Sequence, residues 1–375
     1  MDFEFSDEQR LLKDSVERLI ADRYGFESRK KYMASAQGWS EEVWGQYAEL
    51  GLLGLPFAEE YGGFGGGPVE TMIVMESFGR GLILEPYFAT VILGGGVLRH
   101  AASPAQRTAL LPLVGAGKLK LALAHEERHS RYDLANVTTT ARRDGDGWVL
   151  NGAKSVVLHG DCADKIIVSA RSAGGQRDRG GIGLFLVDAS AVPRQGYPTQ
   201  DGLRAAEITL TDARADALGD PAGGLPVLER VIDEALAALA AEGVGIMTEM
   251  HELTVEYLKT RQQFGRPIGQ FQVLQHRSVD MFVALEQARS ITLYGTMMAA
   301  DDNAAERARA MAATKVQIGR SGRHIGQECI QLHGGIGMTA EYKAGHYFKR
   351  ITMIDKMYGD ADTHLAALAK MGGIF

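Results

Sequence analysis

The chain contains very little cysteine. Cys162 and Cys329 are the only two among 375 residues, and they stand far apart in a spacing that matches no metal site. This shortage excludes a disulfide scaffold and is typical of the reducing cytoplasm, where we expect the protein to act. A chain of this length can bury a large core without disulfides or metals. We therefore expect no metal site and interpret both cysteines as small apolar fillers.

Basic clusters and long apolar runs are missing as well. The net charge is −7 and no run of lysine and arginine stands out, which excludes the usual footprint of a nucleic-acid-binding protein. No apolar stretch approaches the ~20 residues that a membrane-spanning helix needs. The N-terminal sequence MDFEFSDEQR is acidic and polar, unlike a signal peptide. We therefore expect neither nucleic-acid binding nor membrane insertion.

The first 118 residues have the periodicity of helices. Ser6 and Gln9 have the spacing of a capping box, in which the hydroxyl caps free amides and the glutamine reaches back. The glycine-rich segment 59–67 is predicted to be a loop, because glycine loses too much entropy in a helix. The predicted helices, which share apolar residues at helical spacing, lie at 12–20, 41–50 and 68–79.

Near residue 118 the pattern changes from helical to strand-like. Short alternating or β-branched runs are separated by turn residues such as those at 144–147. Five or six short strands with no helix between them favour a small barrel or sandwich. The predicted strands lie at 120–125, 137–141, 148–150, 165–170, 182–187 and 206–210.

From about Val227 the pattern is helical again and stays so to the end. Long apolar-periodic segments with short breaks predict antiparallel neighbours in a four-helix bundle; they lie at 227–261, 271–300 and 303–332. The sequence thus predicts an α+β multidomain fold. Its parts are an N-terminal helical domain at 1–118, a central β domain at 119–226 and a C-terminal helical bundle at 227–375.

Three local stretches make this layout resemble the acyl-CoA dehydrogenase family. RQQFGRPIGQFQ at 261–272 resembles the family's R-x-x-F-G-x-x-(I)-x-x-x-Q signature, and QLHGGIG at 331–337 resembles its Q-x-x-G-G-x-G signature. ELGLLGL at 49–55, followed by Tyr61-Gly62-Gly63, is similar to its N-terminal stretch. The resemblance spans the whole chain and implies the acyl-CoA dehydrogenase fold. Within the family, the chain looks like the small subunit of pimeloyl-CoA dehydrogenase-type enzymes.

The resemblance implies FAD at an interface between two subunits. A diphosphate is bound well by a guanidinium fork and by backbone amides that glycine leaves accessible. Taken alone, Arg261 could be a surface arginine and Gly334-Gly335 a helix-ending turn, but the two motifs together favour a cofactor site. The residues assigned to FAD by the resemblance are Arg261, Phe264, Gln272, Gln331, Gly334 and Gly335.

The resemblance also implies the reaction, which is α,β-desaturation of an acyl-CoA thioester. A carboxylate base takes the Cα proton, while the flavin takes a hydride from Cβ. The family's two base positions hold Gly359 and Ala235 here, and neither carries a carboxylate. Asp360 and Glu234 are each one residue away and are the candidate bases, although one residue along a helix turns a side chain by about 100°.

Further positions carry or lose family features. Asp233 matches an aspartate near the CoA moiety, and Tyr358 is assigned to the substrate. The family's T-E-P-G-x-G-S-D stretch is replaced by residues 125–133, where only Glu126 and Asp133 keep their place. The K-x-W-I-T stretch, whose Trp and Thr contact the flavin, reads KSVVL at 154–158. The flavin-ring pocket is therefore matched less well than the diphosphate site.

Two interpretations follow. In the first, the chain is a dehydrogenase with a displaced base, Asp360 or Glu234. In the second, it is one half of a heteromeric enzyme, completes the FAD site of a homologous subunit in a dimer or α2β2 tetramer, and has a vestigial site of its own. Loss of a general base costs about 10²–10⁴ in rate, which favours the second. An electron-transfer flavoprotein is the expected acceptor; a flavin-free scaffold and a sibling oxidase or monooxygenase are the rival functions.

Overall fold

Helices precede and follow a seven-stranded sheet in a computed structural model that describes residues 5–372, which confirms the predicted order of elements. The helices are α1 (Asp7–Arg23), α2 (Phe26–Ala34), α3 (Glu41–Glu49), α4 (Pro68–Gly81), α5 (Gly95–Ala101), α6 (Pro104–Gly115), α7 (Leu225–Thr260), α8 (Gln272–Met298), α9 (Ala304–His333), α10 (Lys343–Lys356) and α11 (Ala361–Lys370). The strands are β1 (Leu121–Ala124), β2 (Thr140–Asp144), β3 (Gly147–Leu158), β4 (Lys165–Arg171), β5 (Ile182–Asp188), β6 (Arg194–Pro198), β7 (Arg204–Leu218), β8 (Gln262–Gln263) and β9 (Arg266–Pro267).

Helix boundaries follow the local signals in the sequence. The predicted capping box is present, because Gln9 N donates to Ser6 Oγ at 3.2 Å and Ser6 N donates to Gln9 Oε1 at 3.0 Å. Ser40 caps α3 by accepting from Val43 N at 3.3 Å. The chain leaves α3 through Gly51, whose φ of +74° is a conformation that favours glycine.

The central sheet closes into a barrel. Its strand order is β1-β4-β2-β3-β7-β5, and β4 also pairs with β5, which joins the two sides. The barrel core is apolar, with Leu150, Val168 and Phe185 fully buried. Sequence periodicity missed β6, a polar strand that ends in proline and pairs only with β7. The predicted strand at 148–150 covers only part of β3, whose pairing with β7 is interrupted by two irregularities.

The described residues form two compact units that interleave along the chain. The first unit consists of the described parts of Met1–Lys30, Pro68–Ile83 and Leu236–Phe375, and the second of Lys31–Gly67 and Leu84–Ala235. The two boundaries of the three domains, drawn along the chain after residues 118 and 226, therefore stay a prediction. Within residues 5–372, no helix has both the length and the apolar character needed to cross a membrane.

In the first unit, α9 packs against α8, α10 and α11. The three predicted long helices are present as α7, α8 and α9, and α10 and α11 follow them. The close approach of α10 depends on small residues of α9. A Cβ at Gly322 would lie 2.5 Å from Ile351 Cγ1, and one at Gly326 would lie 2.5 Å from Phe348 Cδ2.

Candidate functional site

The first motif forms a small hairpin between α7 and α8 in the first unit. Strands β8 and β9 pair there, and Ile268 N donates to Arg261 O at 2.8 Å to close the hairpin. Phe264 lies at its tip with φ of +55° and is 88% exposed. The guanidinium of exposed Arg261 has no hydrogen-bond or ion-pair partner among residues 5–372. An apolar ring and a cation are thus presented outwards.

The second motif ends α9. Gly334 has φ of +64° and ψ of −139°, a conformation that side chains rarely adopt, and it ends the helix. A Cβ at Gly334 or at Gly335 would meet no atom within 4 Å. Gln331, in the last turn of α9, is exposed. The backbone at this turn is therefore open to a ligand or to a second chain.

A stacked contact brings the two motifs together. The ring of Tyr257, at the end of α7, lies 4.6 Å from the ring of His333, at the end of α9. Arg261 N donates to Tyr257 O at 2.9 Å, and Gly334 directly follows His333. The Tyr257–His333 contact therefore places Arg261 and the Gly334 turn next to each other. Gln272, also exposed, is the first residue of α8.

Sequence reasoning missed the role of His333. Its Nδ1 lies 2.7 Å from Cys329 O and its Nε2 lies 3.1 Å from Tyr342 Oη, so the ring is fixed on both sides. Burial lowers the pKa of His333, which favours the neutral ring. The one signal in the sequence was its position inside the glycine motif, directly before Gly334.

The first family base position lies in a loop that has no room for a side chain. Gly359 has φ of +107°, and a Cβ there would lie 2.7 Å from His364 Nε2. The same His364 nitrogen lies 3.0 Å from the carbonyl of Tyr358, which itself has φ of +57°. The missing carboxylate is therefore accompanied by a backbone suited to glycine.

A buried lysine holds this loop from inside. Lys315 Nζ donates to the carbonyls of Asp355 at 2.9 Å, Met357 at 2.8 Å and Gly359 at 2.5 Å. Burial lowers the pKa of Lys315 to about 8 against the opposing effect of nearby carboxylates. The sequence carried no signal for this contact, since Lys315 lies far along the chain from the loop.

Asp360 has a structural task at the start of α11. Its Oδ1 accepts from Thr363 N at 3.0 Å and from Thr363 Oγ1 at 2.7 Å, and its Oδ2 accepts from Lys356 at 3.1 Å. These hydrogen bonds from Thr363, followed by the contact with Lys356, hold the pKa of Asp360 well below its usual range. A carboxylate stabilised in this way has little affinity for a substrate proton.

Glu234, in the second unit, is surrounded by two arginines and a histidine. It accepts from Arg99 at 2.6 Å, from His100 at 2.8 Å and from Arg230 at 3.0 Å. Burial alone would raise the pKa of Glu234, but these groups outweigh it and lower the pKa to about 2. Ala235 is fully buried, and Asp233 is half-buried on the same helix. The two neighbours of Glu234 on α7, Asp233 and Ala235, thus do not supply an unengaged carboxylate.

The barrel rim in the second unit uses a different glutamate from the one that the sequence pattern aligned. Glu127, not Glu126, accepts from the fully buried Lys154 at 2.8 Å and from the amides of Thr138 at 3.0 Å and Thr139 at 3.1 Å. Glu126 has no such set of donors, and burial raises its pKa to about 7. In this chain Glu127, and not the aligned Glu126, is thus the ion-pair partner of Lys154.

The position of the missing flavin-wall tryptophan has an unusual backbone. Val156 has φ of +52°, which is a steric outlier for a β-branched residue, and it is 43% exposed. Its amide donates to Glu207 Oε1 at 3.3 Å, and Glu207 also accepts from Tyr197 Oη at 2.9 Å. The position of the family tryptophan thus holds a half-exposed valine beside the carboxylate of Glu207.

Comparison with known protein families matches the whole chain. The acyl-CoA dehydrogenase N-terminal domain matches residues 6–118, the middle domain 122–213 and the C-terminal domain 222–372. The chain is 31% identical over 345 residues to the acyl-CoA dehydrogenase IpdE2 of Mycobacterium tuberculosis, covering 92% of this chain and 91% of that protein. It is 26% identical over 380 residues to the probable acyl-CoA dehydrogenase YngJ of Bacillus subtilis, covering 99% of both.

A solved structure with the same fold is that of the Tcur3481–Tcur3483 steroid ACAD variant. It aligns with a TM-score of 0.88 and 30% sequence identity, covering 97% of both chains.

Proposed function

Because this chain belongs to the acyl-CoA dehydrogenase family, we propose that it is one subunit of a heteromeric, FAD-dependent acyl-CoA dehydrogenase. The reaction is α,β-desaturation of an acyl-CoA thioester, as in β-oxidation. The chain presents its two C-terminal motifs to the FAD of a homologous subunit, and that partner supplies the base. The similarity to the Tcur3481–Tcur3483 steroid ACAD supports a heteromeric arrangement. The assembly that we propose is a dimer or an α2β2 tetramer.

The first unit fits the diphosphate of FAD. Arg261 carries a guanidinium without a partner in residues 5–372, and the open turn at Gly334 and Gly335 lets backbone amides approach an anion. Gln272 at the start of α8 and Gln331 in the last turn of α9 offer side-chain amides, and Phe264 offers an exposed ring. When bound, FAD supplies the hydride acceptor.

The residues at and beside the two family base positions support the proposal that this chain is the non-catalytic subunit. Gly359 and Ala235 have no carboxylate, and the carboxylates next to them are occupied. Asp360 caps α11, and Glu234 is held by Arg99, His100 and Arg230. A general base must accept a proton during turnover, and both carboxylates are stabilised in the ionised form instead. Catalysis by a displaced base in this chain is the alternative that these contacts disfavour.

The remaining components follow from the same assignment. Acyl-CoA is the substrate, Asp233 and Tyr358 stay assigned to its binding, and an electron-transfer flavoprotein is the acceptor. The proposed location is the cytoplasm. A sibling oxidase would consume oxygen during turnover, so oxygen uptake by the assembled enzyme separates it from a dehydrogenase.

The test uses the full chain alone and co-expressed with a homologue that carries a glutamate at either family base position. We expect no acyl-CoA-dependent bleaching of flavin by the chain alone. In the complex we expect bleaching and one FAD for every two chains. Stoichiometric FAD and turnover in the isolated chain would show that it is a complete dehydrogenase, and a complex without flavin would overturn the cofactor assignment.

Arg261→Ala in the complex tests the diphosphate site directly. Loss of the fork is expected to lower FAD retention at least tenfold. Lys259→Ala is the matched control, because it removes an exposed positive charge two residues away at the end of the same helix. Equal loss in both variants would indicate a general charge effect.

A further inference from the structure

The turn between β3 and β4 gathers three potential metal ligands that the proposed function does not use. In the second unit, a ring nitrogen of His159, a carboxylate oxygen of Asp161 and Cys162 Sγ all lie within 4.8 Å of one another. We propose that these three side chains bind a Zn²⁺ ion. The site depends on no residue of the proposed FAD or substrate sites.

The carboxylate is already oriented for such an ion. Arg204 Nε donates to Asp161 Oδ2 at 2.6 Å, which fixes that oxygen. The other oxygen, Oδ1, is buried and accepts no hydrogen bond from the described part of the chain. A buried acceptor without a partner is costly, and a bound ion or water is a common reason for it. An ion at Oδ1 would satisfy this atom.

The turn is held rigidly in the shape that gathers the ligands. One arm of the Arg194 guanidinium, Nη1, donates to the carbonyls of Gly160 at 2.9 Å, Asp161 at 3.4 Å and Ala163 at 2.9 Å. Cys162 N donates to His159 O at 3.2 Å. A site on a prearranged loop loses little entropy when it binds an ion.

The backbone at His159 is strained. This residue has φ of +49° although it is not glycine, and it is only 4% exposed. A residue that is not glycine is kept in this region at an energetic cost, and such strain clusters at functional sites. In this turn the strained position is also the one that contributes the imidazole.

The ligand types select the class of ion. Imidazole, carboxylate and thiolate together suit zinc, whereas magnesium and calcium prefer oxygen alone. Three protein ligands leave a fourth position for water. Tetrahedral ligands about 2.0–2.3 Å from zinc lie roughly 3.5 Å apart, so side-chain rotations must bring these atoms closer by about 1 Å.

Binding of the ion also involves charge and protons. The thiolate and the Asp161 carboxylate oppose the positive charge of the ion, and Asp161 at the same time pairs with Arg204. Cys162 binds the ion as a thiolate, so the thiol proton is displaced into solvent. Binding therefore strengthens as pH rises.

A cobalt titration of the reduced, chelator-treated full chain tests the site. Co²⁺ bound to a thiolate gives a charge-transfer band in the near ultraviolet, and Zn²⁺ should displace it at one ion per chain. Cys162→Ser should abolish the band, while Cys329→Ser, which changes the only other cysteine, should keep it. Flavin content and acyl-CoA turnover do not enter this readout.

His159→Asn provides the second variant, because asparagine tolerates the left-handed backbone. It should weaken zinc binding at least tenfold while circular dichroism shows an intact fold, and it decides the question if Cys162→Ser fails to fold. Zinc binding that persists unchanged in His159→Asn, or the lack of stoichiometric binding by the unmodified chain, would overturn the proposal.

Discussion

At position 359 the loss of the carboxylate is tied to the backbone. The φ of +107° and the 2.7 Å approach to His364 Nε2 both oppose a side chain. We expect Gly359→Glu to create no desaturase activity in the isolated chain and to lower the free energy of unfolding by about 1–3 kcal/mol. Urea denaturation and flavin bleaching by acyl-CoA measure the two effects.

Gly359→Ala serves as the control, since it introduces the same strain without a charge. If Gly359→Ala and Gly359→Glu lower the free energy of unfolding by similar amounts, the loss of stability comes from the backbone conformation. Turnover in the glutamate variant at undiminished stability would show that position 359 needs only its carboxylate restored.

Glu234 gives a pH-dependent prediction. Its folded-state pKa of about 2 lies below the ordinary value of 4.5, so the carboxylate contributes stability above pH 4.5. That contribution is lost as pH falls from 4.5 towards 2. We expect Glu234→Gln to cost roughly 2–3 kcal/mol at pH 7 and progressively less below pH 4.5, measured by urea denaturation across this range.

The matched control is Glu256→Gln, an exposed position on the same helix. It should change the free energy of unfolding by less than about 0.5 kcal/mol at every pH. A constant difference between Glu234→Gln and the unmodified chain from pH 7 to pH 3 would contradict the ion-pair account.

At the scale of elements, periodicity predicted the long helices better than the strands. The predicted segment 227–261 became α7 at Leu225–Thr260, because apolar residues at helical spacing continue over many turns. The strand β6, Arg194–Pro198, carries glycine and proline and has little intrinsic strand propensity. It forms through pairing with β7, a long-range contact that local sequence does not reveal.

The same limit applies to the candidate site. The two motifs marked Arg261 and Gly334, but only the stack of Tyr257 on His333 shows that they are neighbours. The engagement of Glu234 by Arg99 could not be predicted, because the partner lies 135 positions earlier in the chain. The sequence shows which residue types a motif contains. Which distant side chains pair with those residues depends on the fold.

Lys315 links α9 to the loop that follows α10, and the contribution of this link to stability can be tested by substitution. Its three bonds to carbonyls at the end of α10 would be lost in Lys315→Met, which leaves buried acceptors unpaired. We expect a loss of about 3 kcal/mol in the free energy of unfolding. Hydrogen exchange should speed up at residues 355–361 and remain unchanged in the barrel strands.

Lys349→Met, an exposed substitution on α10, is the control and should leave both measurements unchanged. Normal protection of the 355–361 amides in Lys315→Met would mean that the loop is held by other contacts.

At the scale of the whole molecule, the first unit leaves apolar side chains uncovered on α8. A groove of about 780 Å³ runs between α8, α9 and α11. Large apolar side chains of α8 that are more than two fifths exposed are Val273, Val279, Phe282, Val283, Tyr294 and Met297. Apolar surface of this kind marks contacts with other proteins. It supports the proposed assembly with a homologous subunit.

Assembly and cofactor binding are thermodynamically linked if the partner's FAD uses residues of this chain. Phe282→Glu places a charge in the groove and should prevent formation of the complex, seen by light scattering after gel filtration. It should also reduce FAD retention as strongly as Arg261→Ala, although Phe282 touches no proposed cofactor residue. Leu11→Glu, on the exposed face of α1, should affect neither property. Retention of FAD by a Phe282→Glu chain that no longer assembles would show that one chain suffices for the cofactor, and the shared site would then be excluded.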